Sequence, residues 1–174
     1  GADIIFIGTY APEDRVKMLE KLAVDGFKLK VYGNSWENLS KNSPLVTSGA
    51  VQYKPLNCED MAKGFAASKI AIAFVRQHNK ETLACRTYEI PACGTFMLHE
   101  RTSKIGEVFE EGKEAEFFSS YEELRNKVNY YLTHEEERQR IAKAGLRKMQ
   151  NGGNYFKDRI KFILEFYKKQ YPSV

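Results

Sequence analysis

Five short runs of aliphatic and aromatic residues, each followed by a segment of helical character, constrain this chain more than any other feature. They are residues 3–8 (DIIFIG), 27–32 (FKLKVY), 69–75 (KIAIAFV), 95–99 (TFMLH) and 115–118 (AEFF), and each reads as a strand. Residues 51–53 add a short further one. Between them, Pro12 opens a helix whose apolar positions Val16, Leu19, Leu22 and Ala23 recur at helical spacing until Gly26 ends it. Residues 35–50 are a loose stretch rich in Ser, Asn and Pro. A helix is expected over 58–68, and another over 82–93, interrupted by Pro91 and stopped at Gly94. Ser119 and Ser120 before Glu122 and Glu123 have the character of a helix N-cap. From there the chain reads as helical to Tyr171 in three pieces, broken near Thr133 and at Asn151-Gly152-Gly153.

Apolar strands with no polar face must be covered on both sides, which parallel strands joined by helices achieve. Right-handed crossovers then give an α/β fold with a doubly wound, Rossmann-like parallel sheet. The expectation is one domain over 1–174 with a helical C-terminal segment at 119–174. In such a sheet ligands sit beyond the carboxyl ends of the strands. The loops after Gly8, Gly33, Tyr53, Val75 and His99 would therefore line any site.

Composition narrows the function classes. With 174 residues the chain suits one core, and 43% hydrophobic residues exclude a disordered one. No apolar run approaches the roughly 18 residues a membrane span needs, and no signal peptide opens the chain. Gly1-Ala2 reads as a trimmed tag or a cut at a domain edge. Three cysteines, Cys58, Cys85 and Cys93, cannot all pair, which favours a reduced, cytoplasmic protein. The net charge is +4, yet residues 135–174 hold 10 basic against 5 acidic residues, so the rest is nearly neutral. No nucleic-acid-binding module accompanies that bias. There is no G-x-G-x-x-G, Walker A loop, G-x-S-x-G elbow or H-E-x-x-H, and His78, His99 and His134 lack metal-ligand spacing. Surface or core roles are expected for them.

The informative segment is 81–94, ETLACRTYEIPACG, just after a buried strand. A helix opening there turns free N–H groups and partial positive charge toward the ligand edge, which suits a diphosphate. Arg86 adds a forked cation for phosphate oxygens, and Glu89 can accept hydrogen bonds from a ribose diol. The plainer alternative is a solvated Arg–Glu pair at i and i+3.

The run Arg86-Thr87-Tyr88-Glu89-Ile90-Pro91-Ala92-Cys93-Gly94-Thr95-Phe96-Met97-Leu98 resembles the R-[TS]-[FY]-E-x-x-A-x-G-x-[FL]-x-[LM] signature of CgeB-like glycosyltransferases. Ile5-Phe6-Ile7-Gly8-Thr9, Val31-Tyr32-Gly33-Asn34-Ser35-Trp36, residues 107–117, residues 120–132 and Arg140-Ile141-Ala142-Lys143-Ala144-Gly145 continue the likeness over nearly the whole chain. These are group 1 enzymes of the GT-B fold, with two Rossmann-like domains facing a cleft. The resemblance implies that this chain is the C-terminal, nucleotide-sugar-binding half. Glu89 would then hold the donor ribose, with Arg86 and Thr87 beside it. Glu81 occupies the position of a sugar-contacting glutamate, although Thr82-Leu83-Ala84 replace the glycines that usually follow. The Gly8-Thr9-Tyr10 turn would approach the phosphates, and Tyr53 and Lys54 the base. No cofactor and no tightly bound metal are expected.

The last helix carries Phe156, Ile160, Ile163 and Tyr167 on one stripe, widened by Tyr155, Phe162 and Phe166. Packing on the domain's own sheet is the default expectation. The resemblance implies that its end crosses to a second, acceptor-binding domain absent from this sequence, or to a partner chain. Membrane contact by this basic amphipathic helix is the lesser alternative. From a different class comes a non-catalytic Rossmann-like domain that docks a partner through that helix. A flavodoxin-like binder is disfavoured because no Ser/Thr-rich loop follows the first strand.

Overall fold

Ile4–Ile7 forms β1, flanked in parallel by β2 (Leu29–Tyr32) and β3 (Ile70–Ala73). β4 (Phe96–Glu100) and β5 (Glu116–Phe118) continue the sheet in the order β2-β1-β3-β4-β5, every pair parallel. The computed structural model describes residues 2–76, 79–152 and 156–171, with no account of the Phe156 side chain. Gly1, His78, Gly153 and Tyr155 of the sequence reading lie outside the described residues.

Every residue of β1 and β3 is buried, as covering on both faces requires. Ile4 and Phe6 point into a core with α1 (Asp14–Val24) and α6 (Tyr121–Thr133), through Leu19, Leu22, Leu124 and Val128. Ile5 and Ile7 point the other way, toward Met61 and Phe65 of α3 (Cys58–Ala66) and Ile90 of α4 (Cys85–Ala92). α7 (Glu135–Asn151) closes beside α4, where Gly145 lets its backbone meet residue 114. The expected caps form: the Ser120 hydroxyl accepts from the Glu123 amide, and Gly26 and Gly94 take positive φ.

The strand expected at 51–53 is reduced to one bridge, Val51 to Val31, because Tyr53 turns the chain away at φ 49°. Counted as an edge strand, that bridge would complete the 3-2-1-4-5-6 order of a Rossmann sheet. The loose stretch at 35–50 holds a 3-10 turn, Trp36–Asn38, and the four-residue α2 (Pro44–Thr47). α5 (Ile105–Val108) is equally short. The helix expected from residue 82 starts at Cys85, and Pro91 sits inside its last turn without ending it.

α8 (Phe156–Gln170) departs from the default expectation. Both sheet faces are already covered, and the helix does not bury its stripe on them: Phe162 is 66% exposed, Ile163 62% and Phe166 56%. No described helix is long and apolar enough to cross a membrane.

Candidate functional site

The strand order reverses between β1 and β3, and a cleft of about 730 Å³ opens at their carboxyl ends. Phe6, Ile7, Gly8 and Thr9 form one wall, Phe74 and Arg76 another, and Leu83 through Arg86 bring in the start of α4.

The Gly8 turn is fixed from the neighbouring strand. The Gly8 amide donates to Tyr32 O at 2.9 Å, and the Trp36 indole Nε1–H donates to Gly8 O at 2.8 Å. Gly33, at φ +143°, lies so close that a Cβ there would stand 2.0 Å from Gly8 O. Only glycine admits that approach.

Arg86 and Glu89 sit together on the cleft side of α4. The Arg86 guanidinium donates through Nε to Ile7 O at 3.0 Å and through Nη1 to the Glu89 carboxylate. The i, i+3 pair and the cleft position are therefore both realised, and neither side chain is stranded in bulk solvent. Ala84, Cys85 and Arg86 bring the start of α4 to the cleft, and Ala84 offers no side-chain acceptor to the first amides of that helix.

Thr87 lies beneath the cleft floor, with no exposed surface. Its hydroxyl accepts from the Ala84 amide at 3.0 Å and meets His99 Nε2 at 2.8 Å. His99 Nδ1 lies 2.5 Å from Glu100 O. Burial pulls the His99 pKa down to about 4, so the ring is neutral near pH 7, and a proton on Nδ1 leaves Nε2 to accept from Thr87. Thr87 thus anchors the helix that presents Arg86 and Glu89, in place of a direct contact with a ligand.

Glu81 reaches the cleft, but both its oxygens hold its own loop: Oε2 accepts from the Arg76 amide at 3.3 Å and Oε1 from Asn79 Nδ2 at 3.0 Å. Tyr53 and Lys54 do not line the cleft. Tyr53 is largely exposed, and Lys54 O accepts from the Gly33 amide at 3.0 Å, at the outer edge of the Gly8 turn.

Sequence reasoning missed three arginines: Arg76, which follows β3 at the cleft wall, and two that come from more distant elements. Arg15, on α1, lines the cleft with 7% exposure. Its Nη2 donates to Thr9 O at 3.0 Å, while Nε, 3.3 Å from Glu13 Oε2, has no hydrogen-bond partner. Burial lowers its pKa and the Glu13 charge opposes that. The signal was present: Arg15 occupies the row of Leu19 and Leu22, a charge on an apolar stripe. Arg159 of α8 is the second. Four arginines and two glutamates line the cleft, leaving two positive charges in surplus.

A family profile described as glycosyl transferase-like matches residues 15–165, most of the chain. The chain belongs to that family. Among solved structures, this glycosyl transferase-like chain is similar to sucrose-phosphate synthase from Thermosynechococcus elongatus, with a TM-score of 0.79 at 14% identity, over 99% of this chain and 46% of that one. HepE from Anabaena, solved in complex with UDP, gives 0.68 at 13% identity, over 97% and 49%. The C-terminal domain of a group 1 glycosyl transferase from Francisella tularensis gives 0.64 at 12% identity, over 84% of each chain. The fold is that of the C-terminal half of a GT-B glycosyltransferase, and the chain spans about half the length of the first two structures. Comparison with curated protein sequences returns no match.

Proposed function

We propose that this chain is the donor-binding half of a glycosyltransferase, of the CgeB-like branch, and that its cleft takes a nucleoside-diphosphate sugar. The observation that carries the reading is the surplus of arginine at the reversal point of the sheet, beside a helix start. A diphosphate diester carries two negative charges, and a cleft with more arginine than glutamate on its walls attracts it. HepE, with the same fold, is described with UDP-glucose and with UDP.

Arg86 and the first amides of α4 hold phosphate oxygens, and Arg15, buried at the cleft wall and paired through Nε with Glu13, adds a preplaced charge. Glu89, steadied by Arg86, accepts from the ribose hydroxyls. Glu81 meets the sugar only by exchanging its loop bonds for sugar hydroxyls. In transfer, the same cations stabilise the departing diphosphate, because charge fixed beforehand needs no reorganisation as the bond breaks. The acceptor is positioned by a second domain or partner chain, docked on the exposed face of α8. Aligning two substrates in that way contributes roughly 7–11 kcal/mol of barrier lowering. This half alone binds donor and transfers sugar slowly or not at all.

Calorimetry with uridine and guanosine diphosphates on the unsubstituted chain and Glu89→Ala tests the reading. The expected result is binding that weakens at least tenfold on losing hydrogen bonds to a charged group, worth about 1.5–3 kcal/mol. Equal affinity in both proteins removes the ribose assignment. No binding of either nucleotide at millimolar concentration favours the second reading, a non-catalytic docking domain, which the exposed α8 face also fits.

A further inference from the structure

We infer that Trp36 is a positioning residue of the donor site: its indole sets the peptide plane between Gly8 and Thr9, so that the Thr9 amide faces the donor diphosphate. The inference rests on the donor-binding reading above and names a residue that the donor itself does not touch.

The turn after β1 carries three amides in a row. The Gly8 amide is spent on Tyr32 O and the Tyr10 amide on Asn34 O, both at 2.9 Å. The Thr9 amide between them has no acceptor among the described residues, and Gly8 and Thr9 both line the cleft. Its direction is set from the other end of its own peptide bond. Gly8 O accepts from Trp36 Nε1 at 2.8 Å, and in a planar trans peptide the C=O and the following N–H point opposite ways. Trp36 is 1% exposed and takes no part in the cleft wall. An oxygen held toward that buried ring therefore sends the Thr9 N–H away from the ring, toward the cleft.

The alternative orientation is disfavoured twice. Glycine at position 8 lets the plane rotate at low steric cost, but a flip would aim Gly8 O at the diphosphate and repel it. The flip would also leave the indole N–H buried without an acceptor. Neighbouring contacts agree with this role. Arg15 Nη2 holds the next carbonyl, Thr9 O, and the Tyr10 ring packs edge-on against Trp36 at 5.4 Å. Ser35, just before Trp36, takes left-handed backbone at φ 66°, a region that costs a residue with a side chain. Strain of that kind persists where surrounding contacts fix it, and it gathers at ligand-binding segments.

The test uses the 174-residue chain. Uridine and guanosine diphosphates, and the matching nucleosides, are titrated by calorimetry and by chemical shift. The proteins are the unsubstituted chain, Trp36→Phe, Leu45→Ala, and a chain whose single tryptophan is replaced by benzothienylalanine. That analogue keeps the bicyclic shape and has no N–H, so it removes the hydrogen bond without opening the core. Leu45 of α2, buried in the same core cluster, is the control for lost packing.

The inference expects Trp36→Phe and the analogue to weaken the better-binding diphosphate roughly tenfold, the effect of one hydrogen bond to a charged group. Nucleoside affinity stays unchanged, and Leu45→Ala binds as the unsubstituted chain does. The diphosphate should move the Thr9 amide and Trp36 indole resonances, and the nucleoside neither. Unchanged diphosphate affinity in the analogue chain overturns the inference and leaves the donor reading standing. A loss shared equally by diphosphate and nucleoside, or matched by Leu45→Ala, does the same by making Trp36 a packing residue only. No binding of either diphosphate by the unsubstituted chain overturns both.

Discussion

His99 has no exposed surface, and burial holds its pKa near 4 against an ordinary 6.5. Between those values the unfolded chain binds a proton that the folded one refuses, so stability falls as pH drops through the window and is fully present above 6.5. The shift corresponds to about 3 kcal/mol, with no solvent screening at so buried a ring. Urea midpoints at pH 7 and pH 4.5, for the unsubstituted chain and His99→Gln, separate this from the titration of carboxylates. The unsubstituted chain is expected to lose about 2–3 kcal/mol more than the variant; equal losses remove His99 as the cause. Because neutral His99 accepts a hydrogen bond from Thr87, the start of α4 should loosen only below about pH 4, where the folded ring binds its own proton. Among single residues, Glu89 and Arg86 were legible through the resemblance of one motif. Arg15 and Arg159 were not, because only the fold brings α1 and α8 to the end of β1. Both nevertheless interrupt an apolar stripe, a pattern that spacing alone reveals.

The elements were legible where they are long or capped. Buried strands, the Ser120 cap and the glycines at 26 and 94 have local causes that a sequence displays. The 3-10 turn at Trp36, α2 and α5 were not, since three or four residues give no periodicity to detect. The edge at 51–53 failed for another reason: its pairing ends at the left-handed backbone of Tyr53, which residue type does not announce. The packing of α7 on α4 gives a prediction at this scale. A Cβ on Gly145 would stand 2.6 Å from Glu114 O and 3.3 Å from the Pro91 Cβ. Alanine gains about 1 kcal/mol of helix propensity over glycine. The atom it meets is backbone carbonyl, which cannot rotate aside, so sterics should prevail and Gly145→Ala should destabilise by about 1–3 kcal/mol. A urea midpoint equal to or above that of the unsubstituted chain sinks this packing account.

At the scale of the whole molecule, a covered sheet and an uncovered helix coexist. The interior of the domain closes without α8, whose Phe162, Ile163 and Phe166 stay more than half exposed. Replacing side chains that stay mostly exposed should change stability little, typically within ±0.5 kcal/mol, or about 2 °C for a chain of this size. Ile163→Ser with Phe166→Ser is therefore expected to leave the thermal midpoint within about 2 °C. If the face awaits a second domain, the same double substitution should abolish concentration-dependent self-association, which sedimentation velocity reads directly. A packed α8 predicts the opposite pair of results. Each large apolar side chain removed from a core costs about 2–5 kcal/mol, so the midpoint would fall by many degrees while association stayed unchanged. A large fall in the midpoint would thus place α8 on its own domain in solution and withdraw its apolar face as the seat of a second body.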